Sequence, residues 1–170
     1  VFIDNDGQAY LYWGNPNCYY VKLNADMVST SGTPTKIAKL QTYQEGPWFY
    51  RRGDNYYLAF ASTCCPEGIG YAMSPSPTGP WTYKNSLMDP NSQANGNHPG
   101  IIEFKGNSYV FGFNWRLQEK RTGARNKEMR SISVEKLTYK EDGTIPKLPF
   151  WSETGPEQIG TLDPYAKTEA

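Results

Sequence analysis

Apolar and polar positions alternate along the chain in short blocks, the pattern of brief strands joined by tight turns. Phe2-Ile3 and Ala9-Tyr10-Leu11-Tyr12-Trp13 flank the polar run Asp4-Asn5-Asp6-Gly7-Gln8. Phe49-Tyr50 and Tyr56-Tyr57-Leu58-Ala59-Phe60 flank Arg51-Arg52-Gly53-Asp54-Asn55 in the same way. A third copy sets Ile101-Ile102-Glu103-Phe104 and Tyr109-Val110-Phe111 around Lys105-Gly106-Asn107-Ser108. Each unit predicts a β-hairpin, with Asp-Gly, Gly-Asp or Gly-Asn supplying the positive-φ turn positions. The aligned tyrosines Tyr10, Tyr57 and Tyr109 recur about every 50 residues, an interval typical of repeat architectures. Further strands are expected over 18–23, then over 70–73 and 81–83, then over 131–138 after a polar loop at 118–128. Ser74-Pro75-Ser76-Pro77-Thr78-Gly79-Pro80 and Glu141-Asp142-Gly143 read as turns between them. No segment sustains a 3.6-residue apolar period, so helix is expected to be nearly absent. Short antiparallel strands repeating every ~40–50 residues predict an all-β chain of β-propeller blades.

Composition changes this picture in one respect. The 13 Tyr and 5 Trp stand beside 16 Gly and 13 Pro, and only 20% of residues are charged. Aromatic side chains suit pleated, half-buried surfaces, and their flat faces also cover the C–H faces of sugar rings, so a sugar-handling sheet and a merely Tyr-rich core are equally served. The 17 basic and 17 acidic side chains cancel, which leaves no electrostatic footprint for nucleic acid or an anionic membrane. No apolar stretch approaches the ~20 residues of a membrane helix. A single histidine excludes Cys/His zinc spacings. Cys64 and Cys65 are adjacent, a spacing that strains a disulfide between them. With Cys18 they make an odd count and read as small buried or idle thiols.

The repeat itself locates candidate chemistry. The first strand of each blade lines the channel of a propeller, so equivalent positions in successive blades converge. Glu45, in Tyr43-Gln44-Glu45-Gly46-Pro47-Trp48, lies twelve positions before its marker tyrosine. His98, in Gly96-Asn97-His98-Pro99-Gly100, lies eleven before its own. Both are followed by Gly and Pro, which fix the backbone. Asp4 and Asp6 are carboxylates too, but the hairpin makes them turn residues.

Residues 1–14, Val-Phe-Ile-Asp-Asn-Asp-Gly-Gln-Ala-Tyr-Leu-Tyr-Trp-Gly, resemble a segment of family 43 glycoside hydrolases, which are five-bladed propellers. Glu45-Gly46-Pro47-Trp48 is similar to that family's general-acid motif. Gly96-Asn97-His98-Pro99-Gly100 is similar to the segment whose histidine sits in the central channel. Arg130-Ser131-Ile132-Ser133-Val134-Glu135-Lys136-Leu137 resembles the strand whose arginine reaches the active site. The resemblance implies about three blades of the five, near 1–44, 45–97 and 98–153, followed by a linker over 154–170 towards a family 6 carbohydrate-binding module. It implies an inverting hydrolase with an acid and a base about 6.5–9.5 Å apart. Glu45 would be the acid, kept protonated by burial and a neighbouring carboxylate. His98 and Arg130 would contact the sugar, and Trp48 would either do the same or pack the blade, with the base and a pKa-tuning aspartate belonging to blades before Val1. No cofactor is required. Calcium is the one ion the resemblance brings in, and His98 would hold it through water, since hard cations prefer oxygen.

Three readings follow. The first is an arabinofuranosidase or xylosidase acting on arabinoxylan or a related plant cell-wall polysaccharide. The second is a non-catalytic carbohydrate-binding propeller. The third is a piece inactive alone, which would self-associate or pair with further blades. A polymeric substrate places the protein outside the cell or in the periplasm.

Overall fold

The aromatic blocks form the strands the pattern calls for, in a computed structural model that describes residues 1–95, 97–126 and 129–158. The first sheet runs β1 (Phe2–Ile3), β2 (Ala9–Trp13), β3 (Tyr19–Leu23) and β4 (Thr30–Lys36), each strand pairing with the next. The second repeats this order with β5 (Tyr43–Arg52), β6 (Asn55–Ser62), β7 (Gly68–Ser74) and β8 (Thr82–Met88). The third has three strands among the described residues, β9 (Gly100–Phe104), β10 (Asn107–Asn114) and β11 (Ser131–Leu137). All pairings within the sheets are antiparallel. Tyr10, Tyr57 and Tyr109 are buried on the second strand of their respective sheets, so the repeat seen in the sequence is a repeat of packing.

β6 shows why the sheets stack. Its residues are buried along nearly its whole length, and a strand sends alternate side chains to opposite faces. Tyr56, Leu58 and Phe60 join Tyr10, Tyr12, Cys18 and Ile37 of the first sheet's region in one core. Tyr57 and Ala59 join Ile101, Val110 and Leu137 of the third sheet in another. The middle sheet is thus the shared wall of two cores. Burying each large side chain stabilises the fold by roughly 1.5–3 kcal/mol. Phe49 on β5 stacks on Tyr12 of β2 with ring centroids 4.2 Å apart, and Tyr57 donates its hydroxyl proton to the Gly143 carbonyl at 2.8 Å. The segment after β11 returns to the second sheet, where Leu148 bonds to Leu87 and fully buried Trp151 fills the space left by Gly112.

Several local expectations need correction. The third hairpin turns on Lys105 and Gly106, both at positive φ (48° and 74°), not on Gly106-Asn107. The pair of positive values is that of the type I′ turn that suits strand twist. β4 has no counterpart in the sequence reading, because its seven residues are all exposed and carry no apolar alternation. The expected polar loop at 118–128 contains α1 (Arg116–Thr122), closed by Gly123 at φ 70°. The linker expected over 154–170 is described as far as 158, where Gly155 packs against Val134. Gly96, Lys127, Glu128 and 159–170 lie outside the described residues.

The cysteines also differ from the idle-thiol reading. Cys64 and Cys65 are exposed and joined to one another in a disulfide. Cys18 alone is a free, buried thiol, and burial pushes it up to about 12 against a weaker opposing hydrogen bond with Tyr43, which keeps it unreactive.

Candidate active site

Glu45 sits near the start of β5 opposite Ala61, with the register broken on both sides of it. Such bulges re-aim a side chain out of the regular pleat. Gly46 supplies the break, at φ +60°. A Cβ placed there would stand 2.6 Å from Cγ of His98, so the imidazole lies directly over the glycine. The motif that follows the glutamate therefore bends the strand and seats the histidine at once.

The first sheet contributes a residue the sequence did not disclose. The Tyr43 hydroxyl donates to the Gly14 carbonyl at 2.7 Å, drawing the β2–β3 loop towards β5. Asn15, the next residue, donates from Nδ2 to Oε2 of Glu45 at 2.6 Å. Asn15 lies in Gly14-Asn15-Pro16-Asn17, a polar stretch between strands that carries no motif singling it out.

The third sheet contributes His98, just before β9. Its Nε2 lies 3.4 Å from Oε1 of Glu45, with the two side chains 47% and 29% exposed. The histidine is placed by its neighbour. Asn97 is fully buried, and its backbone N–H donates to Oε2 of Glu67 at 2.8 Å. Its side-chain Oδ1 accepts from the Phe113 amide at 3.2 Å. Glu67, itself 2% exposed, belongs to Cys64-Cys65-Pro66-Glu67-Gly68, which the sequence reads as a loop near the cleft without chemistry. Its signal was there, since Glu67 is the one charged residue between Asp54 and Lys84.

Asn15, Glu45 and His98 thus come from three sheets to one point. Arg130 precedes β11 at the same end of the third sheet as His98, because Asn114 pairs with Ser131 and Phe111 with Gly100. Its guanidinium lies over the Phe113 ring at 4.8 Å, and the ion-pair partner of Glu45 among the described residues is His98. Trp48 donates its indole N–H to the Ile101 carbonyl at 2.9 Å and ties β5 to β9. Asp6 caps its own turn by accepting from the Gln8 amide. Asp4 does more than turn the chain, for it accepts from Arg51 and Tyr56 on the second sheet.

The chemistry open to this arrangement follows from the two oxygens of Glu45. Oε2 is held by an amide donor and is fixed as an acceptor. Among the described residues Oε1 has His98 Nε2 beside it, at 3.4 Å, longer than a normal hydrogen bond, and is the oxygen left to exchange a proton. Glu45 and His98 offer a cation one oxygen and one nitrogen, far from the six to eight oxygens that calcium takes. The cluster of three metal-ligating side chains found among the described residues is elsewhere, at Cys64, Cys65 and Glu67. A cleft of about 680 Å³ opens between α1 and β11, lined by Arg116, Leu117 and Ile132, and includes neither Glu45 nor His98.

Antiparallel sheets in chain order, each giving one side chain to a carboxylate-centred site, define part of a β-propeller. Its sequence carries the pattern of the glycosyl hydrolases family 43 over residues 1–145, and the chain belongs to that family. It is 33% identical to an arabinoxylan arabinofuranohydrolase of Paenibacillus polymyxa, over all of this chain and 30% of that protein. Its fold matches an arabinoxylan arabinofuranohydrolase from Bacillus subtilis, solved with cellotetraose, at a TM-score of 0.80. That match has 28% identity and covers 95% of this chain and 38% of the other. It also matches an α-L-arabinofuranosidase from Clostridium thermocellum at a TM-score of 0.72. Identity there is 31%, over 86% of this chain and 50% of the other. The chain therefore spans between about a third and a half of these relatives.

Proposed function

We propose that the protein serves the hydrolysis of arabinose- or xylose-containing plant polysaccharide, arabinoxylan above all, with Glu45 as the general acid of an inverting reaction. The observation that carries this reading is the unequal holding of the Glu45 carboxyl. Asn15 pins Oε2 as an acceptor, so the proton rides on Oε1 and is given to the glycosidic oxygen as the bond to the sugar breaks. His98, seated on Gly46, limits where Oε1 can point. A carboxylate base about 6.5–9.5 Å from the acid would activate the attacking water on the opposite face. Arg130, at the same rim, would meet sugar hydroxyls with its planar set of donors. The relatives named as arabinoxylan arabinofuranohydrolases support arabinoxylan as the substrate class. A polymer of that size, together with the exposed Cys64–Cys65 disulfide, fits an oxidising setting outside the cytoplasm.

The test is hydrolysis of p-nitrophenyl α-L-arabinofuranoside and β-D-xyloside by the chain together with the blades that carry the base, and by the Glu45→Gln variant of the same protein. Turnover that disappears in the variant is the expected result. Equal turnover in both removes Glu45 from the reaction. Binding of xylo-oligosaccharide with no turnover in either replaces hydrolysis by a binding role.

A further inference from the structure

We propose that the Cys64–Cys65 disulfide and Pro66 form an apolar wall of the Glu45 site. It would take the C–H face of the pyranosyl residue next to the bond that Glu45 protonates, and the inference rests on the reading of Glu45 above. The wall is the tip of the loop over 63–67 that joins β6 to β7. Both of its feet stand beside the Glu45–His98 couple. At one foot the Thr63 amide donates to the Thr42 carbonyl at 2.8 Å, three residues before Glu45. At the other, Glu67 accepts from the amide of Asn97, the residue preceding His98. Ala61, opposite Glu45 in the sheet, is only three residues before Cys64. At about 3.3 Å per residue along the chain and about 5 Å between paired strands, Cys64 stands within roughly 15 Å of the strand position that carries the acid.

The surface chemistry of this tip is unusual. Thr63, Cys64, Cys65 and Pro66 are all exposed, although cysteine is among the side chains most often buried. Joining the two sulfurs removes both thiol donors and both nucleophiles, and leaves a polarizable apolar face beside a proline. Neither side chain offers a hydrogen-bond donor, so the surface suits the C–H face of a sugar ring and not its hydroxyl edge. The nearby carboxylate of Glu67 is spent on the Asn97 amide and holds the loop down. A metal site at Cys64, Cys65 and Glu67 is not what this geometry provides, since the sulfurs are bonded to each other and the carboxylate is engaged.

The test needs no loop variant that could fail to fold. The Glu45→Gln variant, in which bound sugar should stay intact, is titrated with an arabinoxylo-oligosaccharide by calorimetry. The disulfide is then reduced with a phosphine and alkylated, with and without sugar, and labelling of Cys64 and Cys65 is followed by mass spectrometry. At ten times Kd the labelling rate should fall about tenfold, with maltotetraose giving no protection. Calorimetric binding with an unchanged labelling rate overturns the wall and leaves the role of Glu45 standing. No binding at all overturns both.

Discussion

Two carboxylates tie the first sheet to the second, and they are held in opposite ways. Asp4 is saturated. Its Oδ1 accepts from the Asn5 amide at 2.8 Å and from Arg51 at 3.2 Å, and its Oδ2 accepts from the Tyr56 hydroxyl at 2.7 Å. The side chain is 10% exposed. Burial pulls its carboxyl up, but the Tyr56 hydroxyl, the Asn5 amide and Arg51 together outweigh burial and hold it below the usual 3.8. Glu45 has one short bond, from Asn15, and an oxygen whose neighbour His98 stands at 3.4 Å. A carboxylate with both oxygens engaged and three donors on it is a fastener, because moving a proton onto it disturbs several bonds. One with a single short bond, and a second oxygen met only at 3.4 Å, can exchange a proton at smaller structural cost.

The largest effect that would break this contrast is at Glu45. Glu45→Gln keeps the shape and the bond from Asn15 while removing the acid. It should cut kcat by about 10²- to 10⁴-fold and leave unfolding free energy within roughly 0.5 kcal/mol. Steady-state kinetics beside urea denaturation would read both numbers. A large loss of stability would make Glu45 a fastener like Asp4.

Gly46→Ala comes next. A side chain there must accept φ +60°, which costs about 1–2 kcal/mol. It must also displace the His98 ring, 2.6 Å from the new Cβ. The expected outcome is a melting temperature lowered by several degrees together with impaired turnover. Loss of stability without loss of turnover would show that the seat of His98 does not matter to the chemistry.

Glu45 and His98 were legible in the sequence because the repeat puts rare side chains in one slot, each before a Gly and Pro that fix the backbone. The core was legible for a similar reason, since the run from Tyr56 to Phe60 is buried on both faces and reads as a continuous apolar strand. What stayed hidden depends on backbone geometry more than on side-chain pattern. β4 belongs to its sheet through main-chain pairing with β3 while every side chain faces out. Asn15 reaches Glu45 only because Tyr43 pulls its loop inward. Asp4 was rightly placed in a turn, yet its partners are 47 and 52 residues away, which no local pattern reports. α1, at seven residues, is too short for a 3.6-residue period to emerge, although Gly123 marked its end.

Asp4→Asn gives a smaller effect with a definite pH dependence. Losing the charge weakens the bonds from Arg51 and Tyr56 and should cost about 1 kcal/mol at neutral pH. The folded carboxyl lies below its unfolded value of about 3.9, so the folded state binds the proton less readily than the unfolded one. The contribution of Asp4 is therefore complete above the unfolded value and drains away as pH falls through the folded one. Urea denaturation of the parent chain and the variant should differ at pH 7 and converge as pH falls below the folded value. A gap that persists in acid would mean that shape, not charge, joins these sheets. Hydrolysis per folded molecule should be unchanged.

The smallest effect tests whether the comparison extends to the aromatic beside Glu45. Trp48 is 38% exposed, enough for a sugar to rest on it, yet its N–H is committed to the Ile101 carbonyl and its ring edge reaches Gly100. Those contacts are a fastener's, joining the second sheet to the third as Asp4 joins the first to the second. Trp48→Phe keeps an aromatic face and gives up the hydrogen bond, which should cost about 1 kcal/mol of stability with oligosaccharide affinity unchanged. Trp48→Leu removes the flat face as well. A further tenfold loss of affinity there, equivalent to about 1.4 kcal/mol, would make Trp48 a sugar platform. Affinity that stays constant through both substitutions would confine binding to Glu45, His98 and the rim around them.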